Sequence, residues 1–188
     1  VSGAGKITTL NAGANKTDIT LENGGSISTI NVDNNTGSTN NISVSGSGHI
    51  TKIAGNTQTD NITLGENITV GTLDTGANGT TTINGGNIDQ VQTTGTGNVA
   101  TTVNNKAKIT TLDASNTLGA VTISGASTVD SLKVVGAVTI SGASTVNSLT
   151  TVGSGDITLS GDGTTLKNDL NGKSGANNKI TIADGAKV

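Results

Sequence analysis

Carboxylates are the side chains of this chain with the clearest potential for chemistry, and two pairs of them have a suggestive spacing. Asp156 and Asp162 flank the apolar run 157–159, and Asp60 and Glu66 are placed in the same way around another apolar run. Glycoside hydrolysis needs two carboxylates at a defined separation across a sugar cleft. Such clefts normally also carry aromatic platforms, and this chain has no aromatic residue. We therefore expect a chain that is not an enzyme.

Calcium is the one ion that these carboxylates suit, because it prefers oxygen ligands. The segment GSGDITLSGDG, residues 153–163, carries both Asp156 and Asp162. It resembles the glycine-aspartate repeats of RTX proteins, which implies weak calcium binding between turns. It departs from that pattern because Asp156 directly follows Gly155 and tandem copies are missing, so ordinary turn aspartates are the alternative. No other cofactor is expected, since the chain has no cysteine and a single histidine, His49.

Composition argues against two classes of partner. The formal net charge is −3, and the chain has neither a basic cluster nor an aromatic side chain for base stacking, so we expect no nucleic-acid partner. No apolar stretch approaches the length of a membrane helix, so we expect no membrane span in this segment. The chain begins and ends within partial copies of a repeat. We expect one domain, residues 1–188, within a longer exported protein.

An internal duplication is the strongest structural signal. VTISGASTVDSL at 121–132 returns as VTISGASTVNSL at 138–149, and only Asp130 and Asn147 differ. The same frame recurs from residues 19, 42, 62, 81, 101 and 157. Its apolar residues alternate with period two, as in strands, and Gly, Asn, Asp and Ser separate the runs, as in turns. A repeat at a fixed interval is typical of stacked coils.

We predict an all-β fold, a parallel β-helix (β-solenoid) with about 20 residues per coil and eight to ten coils. Hairpin sheets are the alternative, because several Asn-Gly pairs suit two-residue hairpin turns. A meander, however, gives no reason for the same turn chemistry to return at every interval. In the solenoid Ile123 points inward and Thr122 outward.

A hydroxyl residue occupies the second position of nearly every first apolar run. Stacked coils would place these residues in one outward ladder, which comprises Thr20, Ser43, Thr63, Thr82, Thr102, Thr122, Thr139, Thr158 and Thr181. One interpretation is an ice-binding face, which in ice-binding solenoids uses two parallel Thr columns. The second run supplies no such column, and Thr is a favourable exposed strand residue in any case. We expect a structural ladder.

The frame, with its Thr, Asn, Gly and Val bias, resembles bacterial cell-surface β-solenoid proteins, namely autotransporter and haemagglutinin-type passengers and surface-layer proteins. The resemblance implies a right-handed helix, exposure at the bacterial cell surface, and a scaffolding role alongside other copies or neighbouring surface proteins. The alternative is an adhesin that binds a host receptor or glycan along its flank, with the Asn-rich segments 31–41 and 168–178 as loops. A polysaccharide-degrading β-helix enzyme and an ice-binding protein are less favoured.

Overall fold

The computed structural model describes residues 1–13, 15–32, 39–55, 59–76 and 79–188. Within these ranges every element of regular secondary structure is a strand, and no helix there could span a membrane. The strands are β1 (Lys6–Ala12), β2 (Lys16–Val32), β3 (Asn40–Ala54), β4 (Asp60–Leu64), β5 (Asn67–Asp74), β6 (Gly79–Asn84), β7 (Asn87–Gln92), β8 (Val99–Asn104), β9 (Lys108–Ala114), β10 (Val121–Ile123), β11 (Thr128–Val134), β12 (Val138–Ile140), β13 (Thr145–Thr151), β14 (Ile157–Ser160), β15 (Thr165–Leu166), β16 (Leu170–Asn171) and β17 (Ile180–Ala183).

The strands wind as a β-solenoid of about eight turns that lie about 20 residues apart. Every pairing between the described strands is parallel, and each strand pairs with its equivalent in the next coil. The two duplicated stretches stack directly, with Val121 opposite Val138 and Leu132 opposite Leu149. The predicted all-β parallel β-solenoid is therefore confirmed.

The core consists of aliphatic rows that run along the solenoid axis. One row contains Ile62, Ile83, Val103, Ile123, Ile140 and Leu159, which are successive register partners. Each is at most 1 % exposed. Neighbouring strands lie about 4.8 Å apart, so side chains of similar size fill the lumen, whereas an aromatic ring would need a matching gap above and below it. Ile123 points inward and Thr122 outward, as predicted.

Tight turns join β10 to β11 and β12 to β13. Gly125 and Ala126 both have positive φ, 63° and 58°, and Ser127 N donates to Ser124 O at 3.3 Å. Positive φ at both central residues defines the type I′ turn of two-residue hairpins. Here it turns a corner between strands of one coil, and Ala126 N donates to Gly142 O of the next coil. One of the Asn-Gly pairs that suggested hairpins, Asn23 and Gly24, also has positive φ at both residues, 51° and 83°, and lies within β2.

Candidate interaction surface

A threonine ladder runs along the face formed by β6, β8, β10, β12, β14 and β17. Six of the nine predicted hydroxyl residues are consecutive register partners on this face, and all six are half-buried. They are Thr82, Thr102, Thr122, Thr139, Thr158 and Thr181. The coil spacing sets their separation at about 4.8 Å per step.

The other three predicted members lie in different columns, which corrects the single ladder of nine. Ser43 and Thr63 pair with each other. In the following coil, however, the partner of Thr63 is Asn84, and Thr82 pairs with Asn61. Thr20 pairs with Ser45, and their hydroxyl oxygens lie 3.4 Å apart. The early strands are displaced by two residues relative to the later ones. Since strand side chains alternate with period two, this displacement keeps every residue on its face and leaves no mark in the hydrophobic pattern.

Asparagine amides continue the threonine ladder towards the N-terminal coils. Thr82 pairs with Asn61, which pairs with Asn41. The Nδ2 of Asn61 donates to Oδ1 of Asn41 at 2.9 Å. Such stacked amides bond from coil to coil in the same direction as the backbone ladder. The face therefore carries a continuous polar column from Asn41 to Thr181.

Short side chains flank the threonine ladder. Ala100, Ala120 and Ala137 form the column on one side, and Asn104, Ser124 and Ser141 form the column on the other. Beyond the alanines, at the corner of the coil, lie Leu118, Val135 and Val152. Leu118 is 69 % exposed. We call the outward residues of segments 80–84, 100–104, 120–124 and 137–141, together with these three aliphatic residues, the uncharged flank.

The uncharged flank differs from the other sides of the solenoid in charge. Its four strand segments contain no ionisable residue. Charge returns on this face at Asp156 and Lys179 towards the C-terminal end, and at Lys16 and Asp18, beside Asn41 and Ser43, towards the N-terminal end. The adjacent sides of the same coils carry Lys108, Asp113 and Lys133, and Lys133 Nζ lies 3.9 Å from Asp113 Oδ2. Over these coils the uncharged flank is therefore a neutral surface beside charged ones.

The predicted calcium ligands lie at opposite ends of β14. Asp156 precedes the strand, and its Oδ1 accepts a hydrogen bond from the backbone N of Lys179 at 3.2 Å. Asp162 follows the strand at the next corner, so the four extended residues of β14, about 13 Å of chain, lie between the two. Among the described residues no group of three or more His, Cys, Asp and Glu side chains is placed to hold a metal. Calcium binding by either aspartate remains a prediction.

The second carboxylate pair is split between the lumen and the surface. Asp60 is 1 % exposed and accepts a hydrogen bond from Asn40 Nδ2 at 3.0 Å, whereas Glu66 is exposed. These two acids therefore do not share a cleft. His49 is also exposed, and its Nδ1 lies 3.0 Å from Thr69 Oγ1.

The two Asn-rich segments are described to different extents. Residues 33–38 of the first lie outside the described residues. The second, 168–178, is tied back to the solenoid, because Asn178 Nδ2 donates to the carbonyl oxygens of Gly153 and Gly155 at 3.2 and 2.7 Å. Lys16 and Asp18 precede the first segment, and the hydrogen bond and charge of Asp18 raise the pKa of the exposed Lys16.

A polar stretch inside the lumen is a feature that the sequence analysis missed. One inward column runs through Asn40, Asp60, Thr81, Thr101, Val121, Val138 and Ile157. It is fully buried and changes from polar to aliphatic along the axis. The hydroxyl of Thr101 has no hydrogen-bond partner among the described residues. The signal in the sequence is the residue before each member of the polar column, which changes from Asn and Asp to Thr and then to Val and Ile along the axis.

We expect Thr101→Val to raise the free energy of unfolding by about 1 kcal/mol. Valine has the shape of threonine and the next coil already carries Val121 at this position, while a buried hydroxyl without a partner is destabilising. Urea denaturation measures the change. Thr102→Val, on the outward side of the same strand, is the matched control and should change stability by less than about 0.5 kcal/mol. A loss of stability in Thr101→Val would show that the hydroxyl is satisfied.

Comparison with known proteins gave no match. No family model matches the chain, and neither a curated protein nor a solved structure matches it at a significant level.

Proposed function

We propose that this chain is a non-catalytic structural segment of a bacterial surface protein, acting as a stalk or as a subunit of a surface lattice. The observation that supports this most is the register of the six-threonine ladder, which makes one flank regular along the axis. About eight coils at about 4.8 Å each form a rod on the order of 40 Å long. Such a rod holds whatever is attached at its ends at a fixed distance.

The surface chemistry supports a structural role. The outward residues are mainly hydroxyls, amides and short aliphatic side chains, and the carboxylate pairs named above do not share a cleft. Rows of hydroxyls and amides form wet, individually weak contacts with neighbours. Weak contacts repeated at a fixed spacing suit an array, in which many small interactions act together.

Labelling of intact cells tests the proposed location. An antibody raised against the purified chain should label intact cells of the source organism as strongly as permeabilised ones, and protease added outside should remove the signal. Labelling that appears only after permeabilisation would contradict a role at the cell surface.

Negative-stain electron microscopy of the purified chain separates the two structural roles. Sheets or filaments indicate a lattice subunit, and isolated rods indicate a stalk. The same sample with millimolar calcium, compared with Asp156→Asn and Asp162→Asn, tests whether these two carboxylates link calcium to assembly.

A shallow groove on another side of the solenoid favours the second candidate function, an adhesin. Asn87, Asp89, Lys108, Thr110 and Asp130 line this groove with hydrogen-bonding groups. Such groups suit the hydroxyls of a glycan. Binding on a glycan array that is abolished by Asp130→Ala and retained by Thr122→Ala, on the adjacent uncharged flank, would support this role over the structural one.

A further inference from the structure

We propose that the uncharged flank is a self-association surface on which two copies of this chain pack side by side. This inference rests on the proposed structural function and names the partner of its surface. Its starting point is Leu118, whose side chain is 69 % exposed. The other large hydrophobic residues exposed in the described parts of the chain are Ile180, Ile182 and Val188 in the final coil. Leu118 is thus the large aliphatic side chain that the flank itself leaves in water.

Leu118 belongs to a continuous apolar ridge. A side chain added at Gly136 would overlap the carbonyl oxygens of Leu118 and Gly119, which places the corner after Leu118 directly against the corner after Val135. One coil further, Val152 N donates to Val134 O at 2.7 Å. Val135 and Val152 are half-buried, and Ala120 and Ala137 beside them are exposed. An exposed apolar patch that continues over several coils is typical of an interaction site.

The distribution of charge favours a second copy of this chain as the partner. Two copies of this chain carry the same net charge of −3, so their repulsion is smallest where the surfaces that meet carry no charge. The four strand segments of the uncharged flank provide that place. A basic partner would form no ion pair with these segments. A glycan needs hydrogen-bonding groups, whereas the ridge presents aliphatic side chains.

The shape of the flank suits a second β-sheet. Two sheets pack face to face at about 10 Å when short side chains interdigitate. Alanine and threonine columns in strict register provide such a surface, and a twofold axis would set each Leu118 against the partner's alanine column. The contact is self-complementary, as a symmetric pair requires.

The size of the flank predicts a weak contact. Four coils at about 4.8 Å and a width of about 20 Å give on the order of 400 Å² per partner. Stable pairs bury about 800 Å² per partner. A pair of these chains therefore forms only at high concentration, whereas longer rods or arrays repeat the contact and bind more strongly.

Sedimentation equilibrium of the purified chain from about 10 µM to about 1 mM tests the proposal, with an expected Kd on the order of 100 µM. Leu118→Lys should raise that Kd at least about tenfold, because it removes the exposed aliphatic side chain and places a charge against the partner's alanine column. Ser131→Lys adds the same charge at an exposed position of β11 on another side and should leave the Kd within about twofold. Ala137→Lys, on the flank one coil away, should act like Leu118→Lys. Circular dichroism and melting establish that each variant is folded.

A chain that stays monomeric at the highest concentration would overturn the inference. Equal association of the wild type and both flank variants would also overturn it. If intact cells are labelled but the chain is monomeric, the proposed function stands and the self-association surface is refuted. If the chain self-associates but intact cells are not labelled, the contact stands and the proposed location is refuted.

Discussion

Ile123→Asp is expected to unfold the central coils. Ile123 is fully buried in the lumen, with Val103 and Ile140 as its partners in the neighbouring coils. An aspartate there puts a carboxylate into an aliphatic row. The Thr122 hydroxyl cannot donate a hydrogen bond to it, because Thr122 points to the other side of the strand. Burial of an unpaired charge is strongly destabilising, and we expect the free energy of unfolding to fall by more than about 4 kcal/mol. Urea denaturation followed by far-ultraviolet circular dichroism measures it.

Thr122→Lys is the matched control for this prediction. Thr122 is the preceding residue on the outward, half-buried face, where a lysine side chain can extend into water. Its effect on stability should stay within about 0.5 kcal/mol. If Thr122→Lys unfolded the protein while Ile123→Asp were tolerated, the inward and outward faces would be reversed.

Gly119→Ala is expected to produce the second large loss of stability against unfolding. Gly119 lies at the corner that leads into β10, and an added Cβ would overlap the carbonyl group of Val99 and lie 2.7 Å from Ala100 N. Those atoms belong to the backbone of the neighbouring coil, which is held by the hydrogen bond from Thr101 N to Ala120 O. Since neither coil can withdraw without breaking the ladder, we expect a loss of at least about 2 kcal/mol. The midpoint of thermal unfolding should fall accordingly.

Gly13→Ala separates this steric effect from the general effect of replacing a glycine. A Cβ at Gly13 would meet no heavy atom within 4 Å, and its φ lies outside the positive range. We expect a neutral change or a gain of a few tenths of a kcal/mol from the restricted unfolded chain. Equal losses in the two variants would show that close approach of the coils is not what glycine provides at position 119.

The duplicated segment made the fold predictable. Two nearly identical stretches 17 residues apart can both bury their Val and Ile residues only by stacking, and the register of Val121 with Val138 shows this arrangement. The inward position of Ile123 followed from period-two alternation, which has a single solution when one face is a closed lumen.

The register of the N-terminal strands could not be predicted from the sequence, for a physical reason. A displacement by two residues keeps every apolar residue inside, so the patterns around Thr20, Ser43 and Thr63 look equivalent although they lie in different columns. Only backbone pairing distinguishes them. The Asn40 to Thr101 column is buried in the lumen although its residues are polar, so hydrophobic alternation does not identify them as inward.

The uncharged flank is formed by residues that are distant in the sequence, and the sequence pattern gives little indication that they lie together. Leu118 and Val135 occur in corner segments of different length, and no pattern aligns them. Their proximity follows from the stacking of Gly119 and Gly136. The absence of charge from the flank was visible in the sequence, but its meaning required knowing which residues share a face.

Electron spin resonance distances along the polar column test the central claim, that equivalent residues of successive coils stack in parallel. The chain has no cysteine, so spin-labelled cysteine pairs can be placed at Thr181 together with Thr122, Thr82 or Asn41. These pairs are three, five and seven steps apart in the observed register. The account predicts distances of about 14, 24 and 34 Å, a straight line with a slope of about 4.8 Å per coil. Distances that do not increase with the number of coils, such as an Asn41 pair no longer than the Thr122 pair, would contradict the stacked solenoid and the proposals built on it.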